Sequence, residues 1–205
     1  MSMLDMSLGE FSAALASSSA VPGGGGASAL CAAVAAALGS MVGNISIGKA
    51  GCADVEAELK SLTERSELLR AELLELVDRD AQAFSPLAKA YSIPKDAPER
   101  ETVMEDCLAA AAAVPMRILE LCCQDIELME GFAAYGSKAL ISDAGTGAVL
   151  AWGAMYASAL NVLVNTKEMK NRDLAEKMNA RVDELMNQYW QRADKTYEDI
   201  FQKLR

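Results

Sequence analysis

The chain has 205 residues, enough for one domain (1–205) with a substantial core, and carries a net charge of −10 without any Lys/Arg-dense run, which argues against nucleic acid as a partner. There is no histidine, and the five cysteines (Cys31, Cys52, Cys107, Cys122, Cys123) form no C-x-x-C pair, which removes His-based catalysis and His metal ligation and indicates neither a zinc site nor a disulfide framework. Apolar residues reach 52% with aromatics at only 5%, a balance dominated by alanine that favours closely packed helices over sheets.

Taken in order, the first predicted helix covers about residues 6–17, with Leu8, Phe11 and Leu15 as its apolar stripe. A loop follows at 18–25, and then a helix over about 26–47 that is apolar nearly all round and should be buried. The third helix spans about 53–91, and Pro86 should bend it a turn beyond Asp80. Residues 93–99 read as a linker, with Pro98 suited to the first turn of a helix from about 97 to 114. Pro115 either kinks that helix or starts a new one over 116–134. After a break at 135–138, Ser142 and Asp143 can cap a helix running to about Asn165, and the last helix covers about 173–204. The expected fold is an all-α bundle of long antiparallel helices around Ala/Gly-rich central ones.

Two stretches, from Phe11 to Gly48 and from Ala144 to Thr166, contain no charged side chain, and their length alone permits membrane spans. Pro22 and four glycines interrupt the first, and both consist mainly of Ala, Gly, Ser and Asn, whose transfer into lipid is weakly driven. Core helices fit better, with small residues that let backbones approach closely, also across a subunit interface. No basic n-region precedes a short apolar core at the N-terminus, so a cytoplasmic chain is expected.

The residue that stands out is Asp80. A 4,3,4,3 spacing picks out Val55, Leu59, Leu62, Ser66, Leu69, Leu73, Leu76, Asp80, Ala83, Leu87 and Ala90 as one helical face. The packing that buries the leucines should draw Asp80 out of bulk water, whereas Asp78 is rotated from it by about 200°. A carboxylate removed from water has its pKa raised and can exchange protons near neutrality. The plainer reading is a buried salt bridge or a helix-capping carboxylate.

Three further groups carry chemistry or a structural role. Val21 to Ser28 (VPGGGGAS) leads into a helix, where Pro22, Gly23, Gly24, Gly25 and Gly26 would form either an anion-accepting backbone or a flexible loop; the Gly-Lys-Ser/Thr of a P-loop is missing. Asp143 and Asn161 are five helical turns apart on one face, and Asn165 continues it. The two amides must bond either to neighbouring helices or to a ligand. Lys49, after a long neutral run, is a partner for a helix C-terminus or an anion contact.

These segments together resemble the cyclodeaminase domain of formiminotransferase-cyclodeaminase and its stand-alone bacterial relatives, including methenyltetrahydrofolate cyclohydrolases. The matching runs are 11–49, LVDRDAQAF (76–84), AVPM (113–116), GSKALISD (136–143) and NVLVN (161–165), in the family's order across nearly the whole chain. The resemblance implies an all-helical homodimer acting on one-carbon tetrahydrofolate, with no metal and no cofactor beyond that substrate. An aspartate matching Asp80 is catalytic in the family's cyclodeaminases. The Gly-rich loop, Ser142, Asp143, Asn161 and Asn165 match positions lining the folate cleft. The anionic glutamate tail would need donors such as the Gly23 to Gly26 amides, Lys49 or Lys138. A crevice large enough for a pterin is expected beside Asp80. The chain departs from the family's pattern after Gly48-Lys49, where an aromatic residue often follows, and at Gly136-Ser137, where Gly-Asn is usual. The resemblance favours cyclohydrolase over cyclodeaminase. A non-catalytic helical dimer that binds a small acid is the alternative of a different class.

Overall fold

Ser7 and Glu10 satisfy each other's backbone N–H groups in a capping box, and the helix they start, α1 (Leu8–Leu15), is held to the rest of the chain through buried Phe11. The computed structural model describes residues 2–205, among which no strand occurs. Ahead of α1, the Ser2 hydroxyl and the Met3 N–H both donate to Asp78, pinning the N-terminal turn to the third helix.

Helix α2 (Gly24–Ser46) begins earlier than expected. Gly24, Gly25 and Gly26 belong to its first turn, Gly23 is the N-cap, and no side chain of the preceding segment caps it. Neighbouring helices occupy the space where Cβ atoms would stand, so the tertiary structure overrides glycine's poor helix propensity. Helix α3 (Glu56–Ala90) follows a 3-10 turn and continues through Pro86. Helix α4 (Arg100–Tyr135) starts after Pro98 and continues through Pro115 to its end, so the segments on either side of that proline are one helix. Pro115 is buried among neighbouring helices, and packing of this kind holds a helix despite one missing backbone bond.

Helix α5 (Ile141–Glu168) has Leu140 at its N-cap; Ser142 and Asp143 lie within its first turn and do not cap it. The cap is displaced because a 3-10 turn, Lys138–Leu140, feeds the chain directly into the helix. Helix α6 (Arg172–Leu204) is capped by the Asn171 side chain, which accepts from the Leu174 N–H.

Residue pairs fix the directions. Gly26 meets Asp80 and Ala36 meets Ser66, so α2 and α3 are antiparallel. Ser28 meets Ser158 and Cys31 meets Leu150, which makes α5 antiparallel to α2, while Arg117 pairs with Glu72 and Leu62 lies against Gly131, which makes α4 antiparallel to α3. Arg192 bridges to Glu127 and Glu130 and Arg181 to Glu120, so α6 runs parallel to α4. Hence α2, α4 and α6 point one way and α3 and α5 the other. The main core consists of small α2 residues such as Ala29, Ala32, Ala35 and Ala36 against Leu59, Leu73, Ile118, Met129, Phe132 and Met155. Gly39 and Gly43 let Met129, Phe132 and Thr63 approach the α2 backbone closely.

Helix α2 and the segment Lys138–Glu168 are long and apolar enough to cross a membrane by length and composition. The apolar window of α2 is 61% buried inside the bundle and that of the second segment only 44%. The second helix therefore keeps a large apolar surface in the open.

Candidate active site

The buried face of α3 carries Leu69, Leu73 and Leu76 into the core and brings Asp80, one turn later, half-buried against the start of α2. Oδ2 of Asp80 accepts the Gly26 N–H at 2.9 Å. At Gly25, a Cβ atom would stand 2.5 Å from Asp80 Cγ and 2.7 Å from Oδ2, so only glycine allows the carboxyl to sit there. At Gly26, a Cβ would make ordinary contacts of 3.5 Å and 3.8 Å with Val77 and Asp80. The glycines thus form a seat for one carboxyl group, a more specific role than an open anion loop.

Burial raises the pKa of Asp80 above the ordinary aspartate value, and the Gly26 N–H opposes that rise without cancelling it. Among the described residues, no lysine or arginine forms an ion pair with Asp80. The salt-bridge reading therefore falls. The capping reading holds in an unexpected form, because Asp80 caps α2 from a neighbouring helix. The N–H groups of Gly24 and Gly25, in the same first turn, have no partner within the helix.

Asn161 completes this end. Its side-chain amide lies 3.1 to 3.2 Å from where a Cβ of Gly24 would be, and its Nδ2 donates to the Ala157 carbonyl, which leaves Oδ1 facing the helix start. Asn165 has a bracing role: its Nδ2 donates to the Asn161 carbonyl and to Ala111 of α4. Pro22, buried, and Gly23 lead the chain into the same place.

The remaining candidates lie elsewhere. Lys49, beyond the C-terminus of α2, donates from Nζ to Ser137 Oγ at 3.3 Å, and Lys138, Ser142 and Asp143 stand nearby at the start of α5. Asp143 and Asn161 are separated by about 27 Å along one helix, at 1.5 Å per residue. One chain therefore holds two groups of candidates at opposite ends of α2 and α5. Four grooves, of about 550 Å³ between α4 and α6, about 500 Å³ beside Lys95 and Lys170, about 330 Å³ between α5 and α6, and about 190 Å³ between α3 and α4, are lined by residues other than Asp80. The expected pterin-sized crevice beside Asp80 is not among these four grooves.

A second unusual carboxylate was missed. Asp125 of α4 is fully buried and neither oxygen has a hydrogen-bond partner among the described residues, so burial pushes its pKa well above the ordinary range. The same signal that marks Asp80 marks this residue: Leu121, Cys122, Leu128 and Met129 share its face and are all buried. Cys122 and Cys123 are buried core thiols, and all five cysteines are unpaired with one another.

The fold is an all-helical bundle that seats a half-buried carboxyl, without an ion-pair partner among the described residues, on the amide end of a glycine-started helix. The chain belongs to the formiminotransferase-cyclodeaminase family, whose sequence profile matches residues 7–184. It is 37% identical over 198 residues to the methenyltetrahydrofolate cyclohydrolase of Methylorubrum extorquens, covering 95% of each protein. With the formimidoyltransferase-cyclodeaminase of Mus musculus it shares 32% identity over 91% of this chain, a match spanning 35% of that longer protein. The crystal structure of formiminotetrahydrofolate cyclodeaminase from Thermotoga maritima superposes with a TM-score of 0.88 at 31% identity, over 97% of this chain and 98% of that one.

Proposed function

We propose that this protein is a folate one-carbon enzyme, a methenyltetrahydrofolate cyclohydrolase that interconverts 5,10-methenyltetrahydrofolate and 10-formyltetrahydrofolate as a cytoplasmic homodimer. The observation that carries the reading is Asp80: a carboxyl with a raised pKa, held by backbone amide and free of any cation that would lock it ionised. Similarity over nearly the full length of a cyclohydrolase favours this reaction.

In the hydrolytic direction, water adds to the methenyl carbon while Asp80 takes one of its protons. The bond from that carbon to N5 then breaks, N5 keeps the electron pair, and Asp80 returns the proton to it. The remaining hydroxyl proton leaves as the formyl carbonyl forms, so the cationic substrate and water yield neutral product and one proton. The unpaired Gly24 and Gly25 amides and Asn161 Oδ1 are available to orient the substrate beside the carboxyl.

The likeness to a formiminotetrahydrofolate cyclodeaminase supports a second reading. There, N10 attacks the formimino carbon, Asp80 accepts the N10 proton, and the departing nitrogen takes a proton to leave as ammonia. The test is incubation of the pure protein with each substrate while methenyl-folate absorbance is followed. Hydration of the methenyl compound without ammonia release from the formimino compound supports the cyclohydrolase; the reverse supports the cyclodeaminase. Turnover of neither overturns both and leaves a non-catalytic dimer that binds a small acid.

A further inference from the structure

The peptide group that joins Gly25 to Gly26 is bonded at both ends. Its N–H, at the free end of α2, donates to Asp80 Oδ2 at 2.9 Å. Its carbonyl, which belongs to Gly25, accepts the Ser28 hydroxyl at 2.8 Å from one turn further along the helix. Ser28 is in turn met by Ser158 of α5, whose Oγ lies 3.3 Å from Ser28 Oγ and 2.8 Å from the Ala154 carbonyl, so its one proton is shared between the two. Both serines are buried, at 3% and 0% exposure, so bulk water does not compete for these bonds.

A carbonyl that accepts a hydrogen bond polarises its own peptide group and makes the N–H on the other side a stronger donor. The Gly25 carbonyl has a helical partner, the Ala29 N–H, without any serine. The Ser28 hydroxyl is therefore an addition to a complete helix, in a stretch where alanine, the better helix former, fills most buried positions. No charge nearby masks its effect. Helix α2 has no charged side chain, and no charged side chain of α4 or α5 acts on Asp80, whose proton affinity answers to burial and the Gly26 N–H. On α3 itself, Asp78 is taken up by the Ser2 hydroxyl and the Met3 N–H, and Arg79 pairs with Glu75. At the far end Ser158 lies against the Cys122 thiol of α4, with Asp125 and Cys31 beyond, and burial favours the protonated, neutral form of all three.

We propose that Ser28, held by Ser158, is a positioning residue for Asp80: the two hydroxyls, the Gly25–Gly26 peptide and the carboxyl form one buried hydrogen-bonded line that sets how strongly the amide donates and where the carboxyl rests. The line crosses three helices, from α5 through α2 to α3. Ser158 stands one turn before Asn161 on the same face of α5, so a single stretch of that helix fixes both the Gly24 side and the Gly25 side of the seat. The direction of the effect follows from the bonding. The line strengthens a bond to the ionised carboxylate, and so opposes the burial that raises the pKa of Asp80. The consequence for turnover rests on the reading of Asp80 as the proton-exchanging group; the bonding itself does not.

Ser28→Ala removes the hydroxyl and leaves the helix bond. A neighbouring bond strengthens a hydrogen bond by roughly 10–30%, so the Asp80 titration should move up by about 0.3 on the pH scale, about a twofold change in its protonation equilibrium. Two readouts follow it. One is carboxyl-carbon NMR on protein carrying isotope-labelled aspartate, with the Asp80 signal identified by its loss in Asp80→Asn; the other is the acid limb of kcat/KM on methenyltetrahydrofolate. Ser158→Ala should move both in the same direction by less. The control is Ser66→Ala. Ser66 is as buried as Ser28 and donates to another α2 carbonyl, that of Ala36, at 2.7 Å, so its loss should cost as much thermal stability yet leave the Asp80 titration and the acid limb in place. No shift in Ser28→Ala, a downward shift, or an equal shift in Ser66→Ala overturns the proposal, and the NMR titration of Ser158→Ala decides if the Ser28 variant fails to fold. An Asp80 signal that moves as stated in a protein that turns over neither folate substrate refutes the functional reading and leaves the hydrogen-bonded line standing; turnover with an unmoved signal does the reverse.

Discussion

Substituting Gly25 by alanine tests whether the glycine start of α2 exists to seat a carboxyl group. The new Cβ would overlap the Asp80 carboxyl, with Oδ1 nearest and Cγ 2.5 Å away, against the 3.4 Å at which ordinary contact begins, so the carboxyl must retreat by about 1–1.5 Å. A misplacement of that size costs on the order of 10²-fold in rate, or about 2.7 kcal/mol of transition-state stabilisation. Alanine improves helix propensity by about 1 kcal/mol, which offsets part of the local strain and keeps thermal stability near wild type. Gly26→Ala is the control, since its Cβ meets only ordinary contacts. Steady-state kinetics on methenyltetrahydrofolate should show kcat/KM down about 100-fold for the first variant and within about threefold of wild type for the second, with melting curves nearly superimposed. Unchanged turnover for Gly25→Ala, or equal losses in both, would refute the seating role.

The pH dependence of activity follows from Asp80 acting in its ionised form: the acid limb of kcat/KM should fall at a higher pH than an ordinary aspartate with pKa 3.8 would give. Because the folded-state pKa is raised, this carboxyl's contribution to stability is complete below the ordinary aspartate value of about 3.8 that it has in the unfolded chain, and is lost as pH rises through the folded value. Asp80→Asn should therefore melt higher than wild type at neutral pH and equally at low pH, by calorimetry. Asp125→Leu should stabilise the protein by about 1–3 kcal/mol in urea unfolding at neutral pH and flatten the decline of stability with rising pH, since a buried group with two unmade hydrogen bonds is removed. Gly39→Ala should cost about 1–3 kcal/mol, because its Cβ would stand 2.7 Å from the Phe132 ring in a core with no slack, and differential scanning should show the drop.

Helix existence and order could be read from periodicity, as could the half-burial of Asp80, because a single face of leucines on α3 is a local property of the chain. The helix starts could not. Glycines 24 and 25 read as loop because their helical state depends on α3 and α5 lying where side chains would be, and Pro115 read as a kink or a new helix start because its burial in the bundle is a tertiary fact. Asp125 satisfied the same seam criterion as Asp80 and was passed over; the burial of both residues follows from neighbours one turn away. The separation of Lys49, Lys138, Ser142 and Asp143 from Asp80 was hidden for another reason. Shared helix face was legible, yet five turns of α5 amount to a length no side chain spans.

The most direct measurement is turnover and ligand binding of Asp80→Asn, which keeps the shape of the side chain and removes its proton exchange. Loss of nearly all turnover, with tetrahydrofolate affinity within a few-fold of wild type, is the expected result. Turnover at wild-type level with either folate substrate would contradict the role assigned to this carboxyl group.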